Sequence, residues 1–197
     1  MVVGLTGPTG AGKSSVSEML REWEGIVVID ADQISRQVVQ KGKRCLVDLA
    51  VEFSPLIIDA DGNLNRKKLA QVVFSDKEKL RTLNRIIFPY IGEEFDIEIK
   101  KAQQNGARAI FLDAPTLFES GANKLCDKIV AVLSHRDKRF ERIVSRDNMT
   151  PEEATRRMRS QHDDEYYLSR ADHVIYNDAT KVELRLAVLE LLNALGL

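Results

Sequence analysis

Residues 7–14 read Gly7-Pro8-Thr9-Gly10-Ala11-Gly12-Lys13-Ser14, which satisfies G-x-x-x-x-G-K-[ST] at every fixed position. The pattern lies between an apolar run, Val2–Thr6, and a stretch with Val16, Met19, Leu20 and Trp23 at helical spacing. A strand, a glycine-rich loop and a helix in immediate succession leave few folds open. Glycines let backbone N–H groups close around anionic oxygens with no Cβ in the way, and the helix that follows points its positive end at the same place. Phosphate is therefore the expected ligand, held by Gly10, Ala11, Gly12, Lys13, Ser14 and Ser15. Lys13 acts as a mobile cation on the outer phosphates, and the Ser14 hydroxyl is a candidate ligand for Mg²⁺. The plainer alternative is a tight turn that only packs strand on helix.

Four further apolar runs have strand character: Ile26–Asp30, Ala109–Asp113, Ile129–Leu133 and His173–Tyr176. Each is near-continuous rather than alternating, as strands covered on both faces of a parallel sheet are. With helices between them they predict an α/β fold of the P-loop NTPase type, a five-stranded parallel sheet flanked by helices. The long interval between Asp30 and Ala109 reads as helices at Asp32–Gln40, Arg44–Phe53, Arg66–Phe74, Lys77–Ile87 and Tyr90–Asn105, with a turn at Asp59–Asn63 in which Gly62 can take a positive φ. This predicts a nucleotide-binding core of residues 1–31, 107–135 and 171–197, a helical substrate-binding insert of residues 32–106, and a helical lid of residues 136–170.

Composition narrows the class of partner. The 197 residues carry 29 Lys+Arg against 30 Asp+Glu, a formal net charge of −1. Neither broad steering nor counterion release has a large charge to act through, so neither nucleic acid nor a membrane surface is the expected partner. Cys45 and Cys126 form no metal-binding spacing and read as reduced thiols. Met1–Gly7 has no basic leader, and no stretch approaches the ~20 apolar residues of a membrane-spanning helix. The expected location is the cytoplasm.

Two strands beside the glycine loop run into acids. Ala109–Leu112 leads to Asp113, the usual way such a fold reaches Mg²⁺ through its water shell, although local donors could equally satisfy that carboxylate. Ile26–Ile29 leads to Asp30-Ala31-Asp32. Asp32 starts a helix, so it is either an N-cap or the base that accepts a proton from an acceptor hydroxyl. One division of labour has Asp30 fixing the turn and Asp32 facing the cleft. Farther on, Arg136, Arg139, Arg142 and Arg146 recur every three or four residues, followed by Arg156, Arg157 and Arg159. Interleaved acids allow a solvated salt-bridged helix pair; phosphoryl transfer would instead recruit these forks to the transferred group. Spacing does not choose among them. Thr150, Pro151 and Glu153 have the pattern of a capping box.

Taken together, the chain resembles the dephospho-CoA kinase family over essentially its whole length. The similarity rests on Gly4-Leu5-Thr6-Gly7, on Asp30-Ala31-Asp32-Gln33-Ile34-Ser35-Arg36-Gln37-Val38-Val39, and on Gly62–Arg66 with Leu69 and Val73-Phe74. It continues through Asp113–Glu119, Arg142-Ile143, Arg146-Asp147, Ala171–Ile175 and Asn177. The resemblance implies that ATP, with Mg²⁺ held by Ser14 and Asp113, phosphorylates the ribose 3′-hydroxyl of dephospho-CoA, the last step of coenzyme A synthesis. It further implies Asp32 as base, Lys13 on the phosphates, a contribution from Arg142 or Arg146, and Asn177 at the nucleotide. Arg36, Arg66, Pro89, Leu117, Phe118 and Glu119 fall in its acceptor-side motifs. Phe88-Pro89 stands where the family usually has His-Pro; Thr116, Arg139 and Ala179 replace a usual Leu, Gln and Gly. A nucleoside or nucleotide monophosphate kinase of the same fold, and a non-catalytic P-loop switch protein, are the competing readings.

Overall fold

The computed structural model describes residues 1–73 and 76–197. In chain order the elements are β1 (Val2–Thr6), α1 (Lys13–Arg21), β2 (Ile26–Asp30), α2 (Ala31–Gln37), α3 (Arg44–Phe53), α4 (Arg66–Val73) and α5 (Lys77–Gln104). There follow β3 (Ala109–Asp113), β4 (Lys128–Leu133), α6 (Arg136–Asp147), α7 (Pro151–Arg159), α8 (Asp164–Leu168), β5 (His173–Tyr176) and α9 (Lys181–Ala194). Phe74, the expected end of the fourth helix, lies outside the described residues.

The five strands form one all-parallel sheet in the order β2-β3-β1-β4-β5. Val2 stands opposite Ile110 on one side of β1, and Val3 opposite Lys128 on the other. The central position of β1 accounts for its unbroken apolar run, and every residue of β1 and β3 is buried. β2 lies at the sheet's edge and is only partly covered. One face of the sheet packs Val3, Leu5, Phe111 and Val132 against Val16 and Leu20 of α1 and Leu184, Val188 and Leu192 of α9. Burying each such side chain contributes about 1.5–3 kcal/mol. Toward the other side, Ala131 and Leu133 meet Tyr167 of α8.

The chain divides into two compact units, residues 1–29 with 102–197 and residues 30–101. The larger holds the sheet and also α6, α7 and α8. The smaller is helical. Its turn at Asp59–Asn63 closes on the Asp59 carboxylate, which accepts the N–H groups of Asp61 and Asn63, and Gly62 there has φ +85°.

Two helices differ from the sequence expectation. α2 stops at Gln37 rather than Gln40, because the β-branched, buried pair Val38-Val39 turns inward and a turn closes at Gln40. The break expected between Ile87 and Tyr90 is absent, and α5 runs through Pro89 as one helix of 28 residues. Proline removes the N–H that would bond the Arg85 carbonyl. A single lost bond does not end a helix whose following turns are anchored by buried Ile91, Phe95 and Ile99. The α7 capping box forms as read, with Thr150 accepting from Glu153 N–H and the Glu153 carboxylate accepting from Thr150 N–H.

No described helix is long and apolar enough to cross a membrane. Cys45 and Cys126 are free thiols. Burial, with Asp48 and Asp127 beside them, pushes them up to about 11 and about 12 respectively, so both stay protonated near neutrality.

Candidate active site

The loop between β1 and α1 has the shape its glycines allow. Gly10 and Gly12 sit at φ +78° and +91°, and a Cβ on Gly10 would come within 2.6 Å of the Arg139 carbonyl. A Cβ on Gly12 would collide with the Asn177 amide, and one on Gly7 with the Val132 carbonyl. The loop's carbonyls are taken from behind. Arg142 Nη1 donates to the Gly10 carbonyl at 3.2 Å, Asn177 Nδ2 to that of Ala11 at 2.9 Å, and Arg139 Nε to that of Thr9 at 3.1 Å. Arg142 Nη2 also donates to the Asn177 carbonyl at 2.9 Å, which ties the braces together. With these carbonyls engaged, and with the Thr9, Ala11 and Ser15 N–H groups donating to Gln161, Pro8 and Gly12, the N–H groups of Gly10, Gly12, Lys13 and Ser14 have no described acceptor, and such groups at a helix N-terminus receive an anion.

Asp113, which ends β3 and is 6% exposed, accepts from the Lys13 ammonium on one oxygen and from Ser17 Oγ at 2.5 Å on the other. The carboxylate thus holds Lys13 beside the loop. Ser14 is exposed at the start of α1. Its hydroxyl and the Asp113 carboxylate are hard oxygen donors, and Mg²⁺ is ordinarily held by one or two such groups plus substrate phosphates. Among the described residues no group of three or more His, Cys, Asp or Glu side chains is placed to hold a metal ion.

Beside the loop lies a cavity of about 450 Å³, lined by Gly10, Gly12, Ser14, Glu141, Arg142 and Arg146 among others. The two arginines left open by spacing differ sharply here. Arg142 braces the loop. Arg146 is 57% exposed and forks onto Asp147 at 2.7 and 2.9 Å, with Arg157 joining the same carboxylate. The hydrogen bond from Arg146 and the neighbouring guanidinium charges hold the Asp147 carboxyl below its ordinary range. Arg142→Ala is expected to weaken ATP binding about tenfold and lower stability by about 1.5–3 kcal/mol, because charged hydrogen bonds to the loop are lost. Arg146→Ala is expected to keep stability within about 0.5 kcal/mol and lose activity alone. Calorimetric nucleotide titration, melting and turnover on both variants separate brace from participant; full activity in both would reduce the segment to a solvated face.

The other residues singled out in the sequence are distributed as follows. Asp30, not Asp32, is the N-cap of α2: its carboxylate accepts from Asp32 N–H at 2.8 Å and Gln33 N–H at 3.2 Å. Asp32 is the second residue of α2, in its first turn, exposed, and among the described residues nothing hydrogen-bonds to its carboxylate. Arg36 and Arg66 are exposed on α2 and α4. Pro89 lines a cavity of about 750 Å³ within the smaller unit, with Arg44, Cys45, Asp48 and Tyr90 among its walls; the Tyr90 hydroxyl donates to Asp48. Phe118 is half-buried, edge-on to Tyr166, and Glu119 faces His162 at 3.3 Å. Leu117 is 0% exposed and packs where a Cβ on Gly4 would meet it at 2.6 Å. Its side chain is core rather than ligand surface, so Leu117→Ala is expected to cost about 2–5 kcal/mol in denaturant unfolding.

Two contributors, Ser17 and Gln161, escaped the sequence reading, and Arg139, one of the arginines that spacing left open, is a brace of the loop. Ser17 binds Asp113, the Gln161 side chain accepts Thr9 N–H at 2.9 Å, and Arg139 holds the Thr9 carbonyl. Arg139 is 6% exposed; burial pushes its guanidinium down and Asp164 pulls it back up. Its departure from the family's usual Gln was the available signal.

Known proteins resemble this chain in sequence and fold. A model of the dephospho-CoA kinase family matches residues 1–183. A dephospho-CoA kinase of Bacillus anthracis is 42% identical over 180 residues, 91% of this chain and 90% of its own. One from Fusobacterium nucleatum is 40% identical over 184 residues, 93% of each chain. The solved dephospho-CoA kinase from Campylobacter jejuni superposes with a TM-score of 0.72 at 26% identity, covering 98% of this chain and 96% of its own. Shikimate kinase from Acinetobacter baumannii, with a TM-score of 0.54 at 18% identity, shares the fold alone. With the glycine loop, its Lys13–Asp113 pair and the motifs of both units all inside the matched span, this chain belongs to the dephospho-CoA kinase family.

Proposed function

We propose that the chain transfers the γ-phosphoryl group of ATP to the ribose 3′-hydroxyl of dephospho-CoA, giving coenzyme A and ADP. The observation that carries this reading is the family match across residues 1–183, which includes the glycine loop and the Asp30–Val39 segment. The backbone N–H groups of Gly10, Gly12, Lys13 and Ser14 and the Lys13 ammonium receive the β- and γ-phosphates, with Ala11 and Ser15 completing the ATP-binding loop. To do so Lys13 leaves or shares Asp113, which exchanges one anion for another around a cation already in place. Asn177 and Arg142 act on the nucleotide through the loop they brace, and Arg146 meets the phosphates at the cavity mouth.

On the acceptor side, the Asp32 carboxylate takes the proton of the 3′-hydroxyl as the new O–P bond forms and the bond from phosphorus to the β–γ bridging oxygen breaks, releasing ADP. Arg36, Arg66, Pro89, Phe118 and Glu119 orient the acceptor, the smaller unit serves as its domain, and residues 136–170 serve as the lid. Ser14 and Asp113 would hold Mg²⁺, directly or through water. When bound, the ion neutralises phosphate charge that builds up during transfer.

ADP release measured with dephospho-CoA, adenosine and AMP in turn tests the assignment. Turnover with dephospho-CoA is expected to exceed the others by roughly a hundredfold or more, since a site built to hydrogen-bond the larger acceptor leaves those groups unpaired with the smaller ones. Preference for adenosine or AMP would make the chain a different kinase of this fold. ADP release that no acceptor stimulates would make it a switch.

A further inference from the structure

The larger unit contains a second basic pocket that phosphoryl transfer as described leaves unused. It has a volume of about 270 Å³, and its walls include Arg136, Arg139, Arg159, Gln161, Asp163 and Asp164; Arg139 and Gln161 also hold Thr9 of the glycine loop, so the pocket adjoins it. Its two carboxylates are already committed. Asp163 accepts Tyr166 N–H as the cap of α8, and Asp164 accepts from Arg139 Nη1 at 3.1 Å. The cations are not matched in the same way. Arg136 and Arg159 are exposed and, among the described residues, have no carboxylate within ion-pair distance. Arg139 uses Nε on Thr9 and Nη1 on Asp164, and no described acceptor meets its Nη2.

The position of Arg136 is also unfavourable in the absence of a ligand. It is the first residue of α6, a helix of 12 residues whose N-cap, His135, supplies no side-chain bond. The positive end of a helix dipole destabilises a cation and stabilises an anion. The pocket sets three guanidinium groups against two carboxylates, and with Asp164 on Arg139 and Asp163 capping α8, Arg136 at its helix N-terminus and Arg159 are left without an anionic partner among the described residues. Planar forks of this kind bind phosphate oxygens in pairs. The volume is below the roughly 300–1,000 Å³ of pockets that enclose whole ligands, so it suits an anionic head group and not a nucleotide.

We infer that the pocket bordered by Arg136, Arg139 and Arg159 is a second oxyanion site, which takes the phosphoryl or diphosphoryl group of a small molecule beside the glycine loop, to which Arg139 and Gln161 tie it, without using the loop's own N–H groups. It does not depend on the identity of the acceptor. Inorganic pyrophosphate is the probe, titrated calorimetrically into protein already saturated with ADP so that the loop is filled. One pyrophosphate per chain is expected to bind. The double variant Arg136→Ala/Arg159→Ala is expected to weaken that binding at least about tenfold, with ADP affinity and melting temperature unchanged. Absence of uptake by the ADP-loaded protein, or equal affinity in the double variant, overturns the inference. A parallel loss of ADP affinity would make the pocket part of the nucleotide site and would overturn it as well.

Discussion

Asp32→Asn is expected to lower turnover with dephospho-CoA by roughly 10²–10⁴, the usual loss when a general base is removed, while ATP affinity and melting temperature stay at wild-type values. A ribose hydroxyl has a pKa far above neutrality and attacks phosphorus poorly unless its proton is taken as the bond forms. Asparagine keeps the size of the side chain and can still accept a hydrogen bond, but it is not a base. The fold gives this test a clean background. Asp30 caps α2, so the exchange at position 32 does not touch the cap, and the Asp32 carboxylate holds no structural partner among the described residues. Calorimetric ATP binding, thermal melting and turnover on one preparation decide the matter. A variant that folds, binds both substrates and turns over normally would remove Asp32 from catalysis.

Lys13→Ala is expected to reduce kcat by roughly 10²–10³, the loss typical of one electrostatic contact to charge that develops during transfer. Here stability changes too. Lys13 and Asp113 are 16% and 8% exposed at their side chains, and removing the ammonium leaves a covered carboxylate with Ser17 as its remaining partner. Truncating one member of a buried pair costs up to about 3–5 kcal/mol, so unfolding would account for part of the activity loss. The double variant Lys13→Ala/Asp113→Asn reads the stability effect alone, since Asp113 is itself proposed to hold Mg²⁺; the kinetic effect is read as kcat of Lys13→Ala well below its melting temperature. The amide introduced at the end of β3 would still accept from Ser17 without an unpaired charge, so melting temperature is expected to recover. Wild-type kcat in Lys13→Ala would exclude the ammonium from the reaction.

The sheet was largely legible in the sequence because strands covered on both faces need unbroken apolar runs, and Val2–Thr6 and Ala109–Asp113 have nothing else to be. The glycine loop was legible for a steric reason: no side chain fits at positions 7, 10 and 12. Proline chemistry misled at α5, since a local rule about one missing N–H does not register the apolar anchors that follow it. The site's pairings were hidden for a different reason. Lys13 with Asp113, Arg139 with Thr9 and Gln161 with Thr9 join segments remote in sequence, and nothing in the local pattern of either segment names the other. Arginine spacing showed a shared helix face but not which guanidinium would turn toward the loop carbonyls.

The order of strands across the sheet also bears on how the chain is made. β1 is synthesised first but finds its neighbours in β3 and β4, so Val2 waits for Ile110 and Val3 for Lys128. Residues 30–101 complete the smaller unit before either of those partners exists. On a ribosome, where chains grow at about 5–20 residues per second, the amino-terminal strand and its glycine loop therefore spend several seconds without a sheet to join. The nucleotide-binding half begins first and finishes last, so a chain stalled or cut before Ile110 would have all of its helical insert and no phosphate site.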